Sequence, residues 1–197
     1  MKTFKQYLQE MPTVSNSTPR TYFHPDDHGP ITHTSGTRTD GYGTELTHLG
    51  THGDEGNRYY SVRHSEDDTP GHRGFRVTNS NGQTMFDISG HGTKGKVFTS
   101  SLAEAGTGRN ISYSGVIHTL VTQGHVREWR SDTRHSPGSK KAYTELAKRP
   151  DLRIEHKATN GIRTPIKSPE DVERVYSGGD DGKGIRGRFI VKKAPKK

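Results

Sequence analysis

The chain has 197 residues, of which 30 are Lys or Arg, 22 are Asp or Glu and none is Cys. A hydrophobic share of 25%, with 24 Gly and 10 Pro, is too small to pack the whole length, so one compact domain with an unfolded portion is expected. The lack of Cys excludes disulfides, zinc knuckles and thiol nucleophiles, and no apolar run approaches a membrane span or a secretory core.

Met1 to Glu10 (MKTFKQYLQE) places Phe4, Tyr7 and Leu8 at i, i+3 and i+4, one face of a short helix that Pro12 discourages from continuing. Residues 11–56 are rich in Gly, Pro, Ser, Thr, Asp and His without sustained period, and read as a disordered linker. Its five histidines (His24, His28, His33, His48, His52) suit no single helical face and lack a thiolate partner, so no metal site is assigned. Four basic and seven acidic residues fall in 1–56, leaving 26 basic and 15 acidic beyond it. The cationic part is thus the folded part, expected over 57–192, with a basic tail over 193–197. Such a surface attracts nucleic acid or a phosphate-bearing cofactor, or simply keeps the chain soluble.

Four short β-rich runs follow at 59–64, 74–78, 84–89 and 96–101, separated by turn clusters, and predict an antiparallel meander. After the Gly-rich stretch 103–110 (AEAGTGRN), Tyr113, Val116, Ile117, Leu120 and Val121 form a helical stripe, with Asn110 a candidate N-cap and Gly124 a stop. Residues 125–131 return to strand. Ser136 and Pro137 then open a helix carrying Ala142, Tyr143, Leu146 and Ala147. A strand at 152–156, a helix opened by Ser168-Pro169-Glu170-Asp171 and a strand at 188–191 complete the order. The fold class expected is α+β, a mixed and mainly antiparallel sheet flanked by helices.

This order, with a Gly-rich loop between the fourth predicted strand and a helix, resembles the GNAT N-acetyltransferase fold. The resemblance covers about residues 57–157. Gly106-x-Gly108 matches the glycines of that family's loop, whose amides and following helix hold the diphosphate of acetyl-coenzyme A; Ala103 stands where the family has Gln or Arg. The resemblance makes acetyl-CoA the implied cofactor, held by Gly106, Gly108, Arg109 and Asn110. Ser136, Ser139 and Tyr143 have the spacing of the family's Asn-x-x-Ala-x-x-x-Tyr, which implies a cofactor contact at Ser136 and a proton-donating hydroxyl at Tyr143. Tyr143 also lies on the apolar stripe, where a packed core tyrosine would lie, and Ser136 serves equally as a helix cap. An acetyl acceptor needs a base; Glu104 is the nearest carboxylate to the loop, with His118 and His125 as alternatives.

The stretch 124–143 is similar to small, divergent acetyltransferase-like proteins of tailed phages. MKTFKQYLQE also resembles the capsid-targeting leaders of T-even-type internal head proteins, which a prohead protease cuts after Leu/Ile-x-Glu, here Leu8-Gln9-Glu10. These resemblances imply residence in the host cytoplasm and the phage head, with capsid, protease and DNA as partners. Two other readings stay open. One is a non-catalytic virion protein on the same scaffold. The other is a nucleic-acid module using Arg127, Arg130 and Arg134, with Trp129 stacking on a base.

Overall fold

The computed structural model describes residues 25–41, 43–64, 71–93, 96–133, 135–177 and 187–195. The leader over 1–10, His24, Arg134, most of the turn after Ser177 and the last two lysines lie outside the described residues.

Among the described residues ten strands form one sheet: β1 Thr37–Thr39, β2 Thr44–His52, β3 Asn57–His64, β4 His72–Thr78, β5 Thr84–Gly92, β6 Val97–Ala105, β7 Glu128–Arg130, β8 Leu152–Ala158, β9 Arg163–Ile166 and β10 Gly187–Lys193. Their order across the sheet is β1-β2-β3-β4-β5-β6-β7-β10-β8-β9. Every neighbouring pair is antiparallel except β6 with β7. Among the described residues three α-helices accompany the sheet: α1 Tyr113–Thr122, α2 Pro137–Leu146 and α3 Pro169–Ser177. The architecture is the mixed, mainly antiparallel α+β sheet that the residue pattern predicts.

Alternation along the strands sorts residues between two faces. On one, Tyr59, Phe75, Val77, Phe86, Ile88, Phe98 and Trp129 meet the apolar stripes of the helices, Val116, Ile117, Leu120 and Val121 of α1 with Tyr143 and Leu146 of α2. Ser112 caps α1, its Oγ accepting from the Gly115 amide at 3.1 Å. Asn110, the expected cap, instead accepts from the Asn57 side-chain amide at 3.0 Å. Ser136 and Pro137 open α2 as predicted. At α3 the Asp171 carboxylate reaches back to the Ser168 amide at 3.2 Å, half of a capping box.

The opposite face corrects the linker boundary. Residues 11–56 are expected to be disordered, yet the described part of that range holds β1, β2 and a covering segment. Thr44 and Leu46 of β2 are buried, and His48 packs edge-on against Tyr60 at 5.4 Å between centroids. Leu46 is the one large apolar side chain on this inner face, beside Thr44 and His48, and a bulge after His48 breaks the alternation, so the sequence shows no strong period. Ile31, Leu46, Tyr60 and Val62 form a small second core, with the Tyr60 hydroxyl donating to the His33 carbonyl at 2.7 Å. The buried Arg76 guanidinium sits here between Asp40 at 3.1 Å and Asp87 at 2.6 Å.

Two smaller differences concern strands. The run 125–131 contributes only the three residues of β7, and Val126 ahead of it is buried beside α1. Strand β9 contains Pro165 and so carries little strand signal. It lies at the end of the sheet order, where a missing N–H is tolerated.

Candidate functional site

The one parallel pairing is short. Val97, Phe98 and Thr99 of β6 stand opposite Glu128, Trp129 and Arg130 of β7. Beyond Thr99 the two chains part. Strand β6 carries a bulge, since Leu102 faces Ser89 and Ser100 faces Gly90, leaving Ser101 without an opposite number. It then runs on to Ala105 paired with β5 alone, and Ser101, Leu102 and Ala103 are exposed. The other chain turns towards β10: the Ser131 amide donates to the Phe189 carbonyl at 2.9 Å, and the Phe189 amide donates to Ser131 Oγ at 2.9 Å. Residues 101–105 and the chain after Arg130 therefore diverge without pairing to each other, a wedge in the sheet. An exposed strand edge of this kind offers alternating N–H and C=O groups to an extended amide-bearing ligand.

The Gly-rich turn closes one end of β6, and two of its amides already have partners. Gly106 N–H donates to the Met85 carbonyl at 2.9 Å, and Thr107 N–H donates to the Asp26 carboxylate at 3.0 Å. A Cβ on Gly106 would collide with the Thr84 carbonyl and come within 2.9 Å of Asp26 Oδ1. Its glycine is thus demanded by the protein's own backbone and by the single-turn helix Pro25–Asp27. A Cβ on Gly108 would make ordinary contact with Gln83 Oε1 at 3.5 Å, and Arg109 is exposed. The Asn110 amide lies 3.4 Å from Met85 Sδ.

Tyr143 is in the core. Its ring stacks on Phe189 at 4.3 Å between centroids, and its hydroxyl accepts from Trp129 Nε1 at 3.4 Å. Burial pushes its pKa well above the ordinary tyrosine value, and the Trp129 and Ser131 hydrogen bonds offset this only in part. Glu104 stands directly opposite Asp87 across β5 and β6, and cross-strand partners share a face. That is the face of Arg76, whereas Tyr143 packs on the helix face. The two residues expected to share catalysis are therefore on opposite sides of the sheet. His118 is held by Asp151 at 2.8 Å, and His125 Nε2 lies 3.0 Å from His52 Nε2. Trp129 is fully buried, which removes it as a base-stacking residue.

The Ser139 amide donates to Ser136 Oγ at 3.2 Å, the capping role. One group absent from the sequence reading is His135. Its ring meets Phe189, Tyr143 and Tyr176 edge-on at 5.5, 6.2 and 5.9 Å between centroids. Nε2 lies 3.1 Å from the Gly187 carbonyl and Nδ1 lies 3.2 Å from Ser139 Oγ. The clue was its position: four residues before Ser139, it can reach the first turn of the helix Ser136 opens. A second imidazole, His156, also packs on Phe189, at 5.4 Å.

Burial is the first cause that holds His125, His135 and His156 below the ordinary value of 6.5. For His135 the Gly187 hydrogen bond and the Asp132 charge oppose it; for His156 the neighbouring His135 adds to it. In the unfolded chain each of these rings takes up a proton near 6.5. The stability they support is complete above that value and is lost as pH falls through it towards the lower folded values. The urea midpoint is expected to drop between about pH 7.5 and about pH 5.5. An unchanged or rising midpoint would show that the three rings are not held neutral.

No protein-family model, no curated protein and no solved structure matches the chain.

Proposed function

We propose that this chain is a virion-associated internal protein of a tailed phage, built on an acetyltransferase-like scaffold that has lost acetyl transfer. The scaffold reading is supported by strand order. Strands β3 to β6 form an antiparallel meander, β7 joins in parallel after a helix, and β10 inserts between β7 and β8. On this reading the wedge between β6 and the chain after β7 would correspond to the slot that takes the pantetheine arm in GNAT enzymes.

The observation that carries the loss of transfer is the Asp26 carboxylate on the Thr107 amide. A diphosphate needs that amide and a positive local potential. Here a fixed negative group occupies the donor, and the neighbouring Gly106 amide is spent on Met85. Tyr143, sealed in the core and with a pKa that burial raises, is poorly suited to release a proton to a departing thiolate. Acetyl-CoA is therefore proposed only as the ancestral ligand of the wedge. Assignment to the phage head is supported by the resemblance of MKTFKQYLQE to capsid-targeting leaders, and the basic balance beyond residue 56 suits packaging beside DNA.

Calorimetric titration of the full chain with acetyl-CoA is expected to give no heat at millimolar ligand, and no acetyl group should reach a polyamine acceptor. Saturable heat with turnover would overturn this proposal and restore the transferase. In mature particles, mass spectrometry is expected to find the chain beginning at Met11; its complete absence from particles would sink the virion assignment.

A further inference from the structure

The cluster around Phe189 contains an arrangement that the scaffold reading does not use. A carbonyl oxygen can only accept, so the hydrogen bond from His135 Nε2 to the Gly187 carbonyl requires the proton to be on Nε2. In the neutral ring Nδ1 then has a bare lone pair. Its partner, Ser139 Oγ, must donate to it. Hydroxyl, base and the group that orients the base are thus in line, the logic of an activated nucleophile.

The surroundings favour this state. Burial keeps His135 neutral near pH 7, as a base must be. Ser139 is half-buried in the first turn of α2, neither sealed in the core nor free in water. On the other side of Gly187 lies the second imidazole. A Cβ on Gly187 would meet His156 Nε2 at 2.5 Å, and that nitrogen is buried without a hydrogen-bond partner among the described residues. A buried ring nitrogen left unpaired is costly, and it points to a polar ligand atom that completes it. Burial pushes the Tyr176 hydroxyl, which closes the other side of His135, up to about 12.

We propose that Ser139 is a nucleophile activated by His135 and takes an acyl group from activated acyl esters. Ser139 Oγ forms a bond to the carbonyl carbon while its proton passes to His135 Nδ1. The bond from that carbon to the leaving oxygen then breaks, and the leaving group departs as an anion or with the proton from the imidazolium. The product is an acyl ester on Ser139, and no redox partner is involved. The inference does not rest on the wedge or on acetyl-CoA binding.

The test uses the full chain and p-nitrophenyl acetate. Peptide mapping by mass spectrometry is expected to find acetyl on Ser139, lost in Ser139→Ala, with nitrophenolate release slowed at least about 100-fold in His135→Gln. Acetylation confined to lysines, or an equal rate in a folded His135→Gln, would overturn the proposal. Should His135→Gln fail to fold, Ser139→Cys decides. Its thiol is expected to react with iodoacetamide at neutral pH faster than free cysteine, and ordinary reactivity overturns the proposal.

Discussion

Replacing Arg76 with methionine is expected to lower the unfolding free energy by about 3–5 kcal/mol, the usual loss when one partner of a buried ion pair is removed. Arg76 is 1% exposed and sits between Asp40 and Asp87. His28 approaches Asp87 from the covering segment at 3.3 Å. Removing the guanidinium leaves two carboxylates in a poorly solvated layer with too little positive charge. Asp87 reports the same balance. Burial works against its ionisation, but the His28 hydrogen bond and the Arg76 charge outweigh burial and hold its pKa below the ordinary 3.8. Its contribution is therefore present above the unfolded carboxylate value and is lost as pH falls through the lower folded one. Urea denaturation of Arg76→Met and of Arg76→Met/Asp87→Asn separates the terms. The double variant should be the more stable of the two, because it no longer buries one unpaired charge. Equal stability would mean that Asp87 is already relieved by water.

The second large effect is expected at Phe189, where truncation to alanine should cost about 3–5 kcal/mol, as for other buried aromatic residues. Phe189 is fully buried, stacked on Tyr143 and Tyr176 and bordered by His135 and His156. Four rings lose their common neighbour at once, and collapse into the space is opposed by the strand hydrogen bonds of β10 to β7 and β8. Phe189→Leu keeps most of the volume and should cost only about 1–2 kcal/mol. Thermal or urea unfolding of both variants checks the ranking. A Phe189→Ala variant as stable as Phe189→Leu would show that the cluster adapts freely. Because Phe189 touches His135, the alanine variant should also lose selective acetylation of Ser139 while it remains folded.

Helices were the legible part of this sequence. Val116, Ile117, Leu120 and Val121, and likewise Ala142, Tyr143 and Leu146, recur at helical spacing because each faces a packed sheet. Strands β3 to β6 were legible as runs, though not in length. Strand β2 was hidden because its inner face is Thr44, Leu46 and His48 and a bulge then breaks the alternation before His52, so composition reads as linker. Strand β9 was hidden by Pro165. The parallel joint of β6 with β7 could not be read at all, since three residues carry no periodic signal. At the candidate site, Gly106-x-Gly108 reads as a turn that would let a diphosphate approach the backbone. It could not reveal that the approaching groups are Thr84 and Asp26 of the same chain. Tyr143 was open to a chemical or a packing role, and its stack on Phe189 and bond to Trp129 give it the second. His135 and Ser139 meet locally, four residues apart at the start of α2, but Gly187 reaches the pair from β10, and no local pattern encodes that contact.

Strand β7 has a mechanical consequence. Its three residues pair with β6 on one side and with β10 on the other, and the Glu128 carboxylate reaches Lys192 across the second seam at 2.7 Å. Six strands hang on one side of this neck and three on the other, with α1 as a second tie because it packs against β10 as well as the meander. Cooperative breathing of the molecule should therefore be partitioned here. The two wings can exchange their amide hydrogens with solvent at different rates while each stays intact, and force applied across the sheet would part it at the neck first.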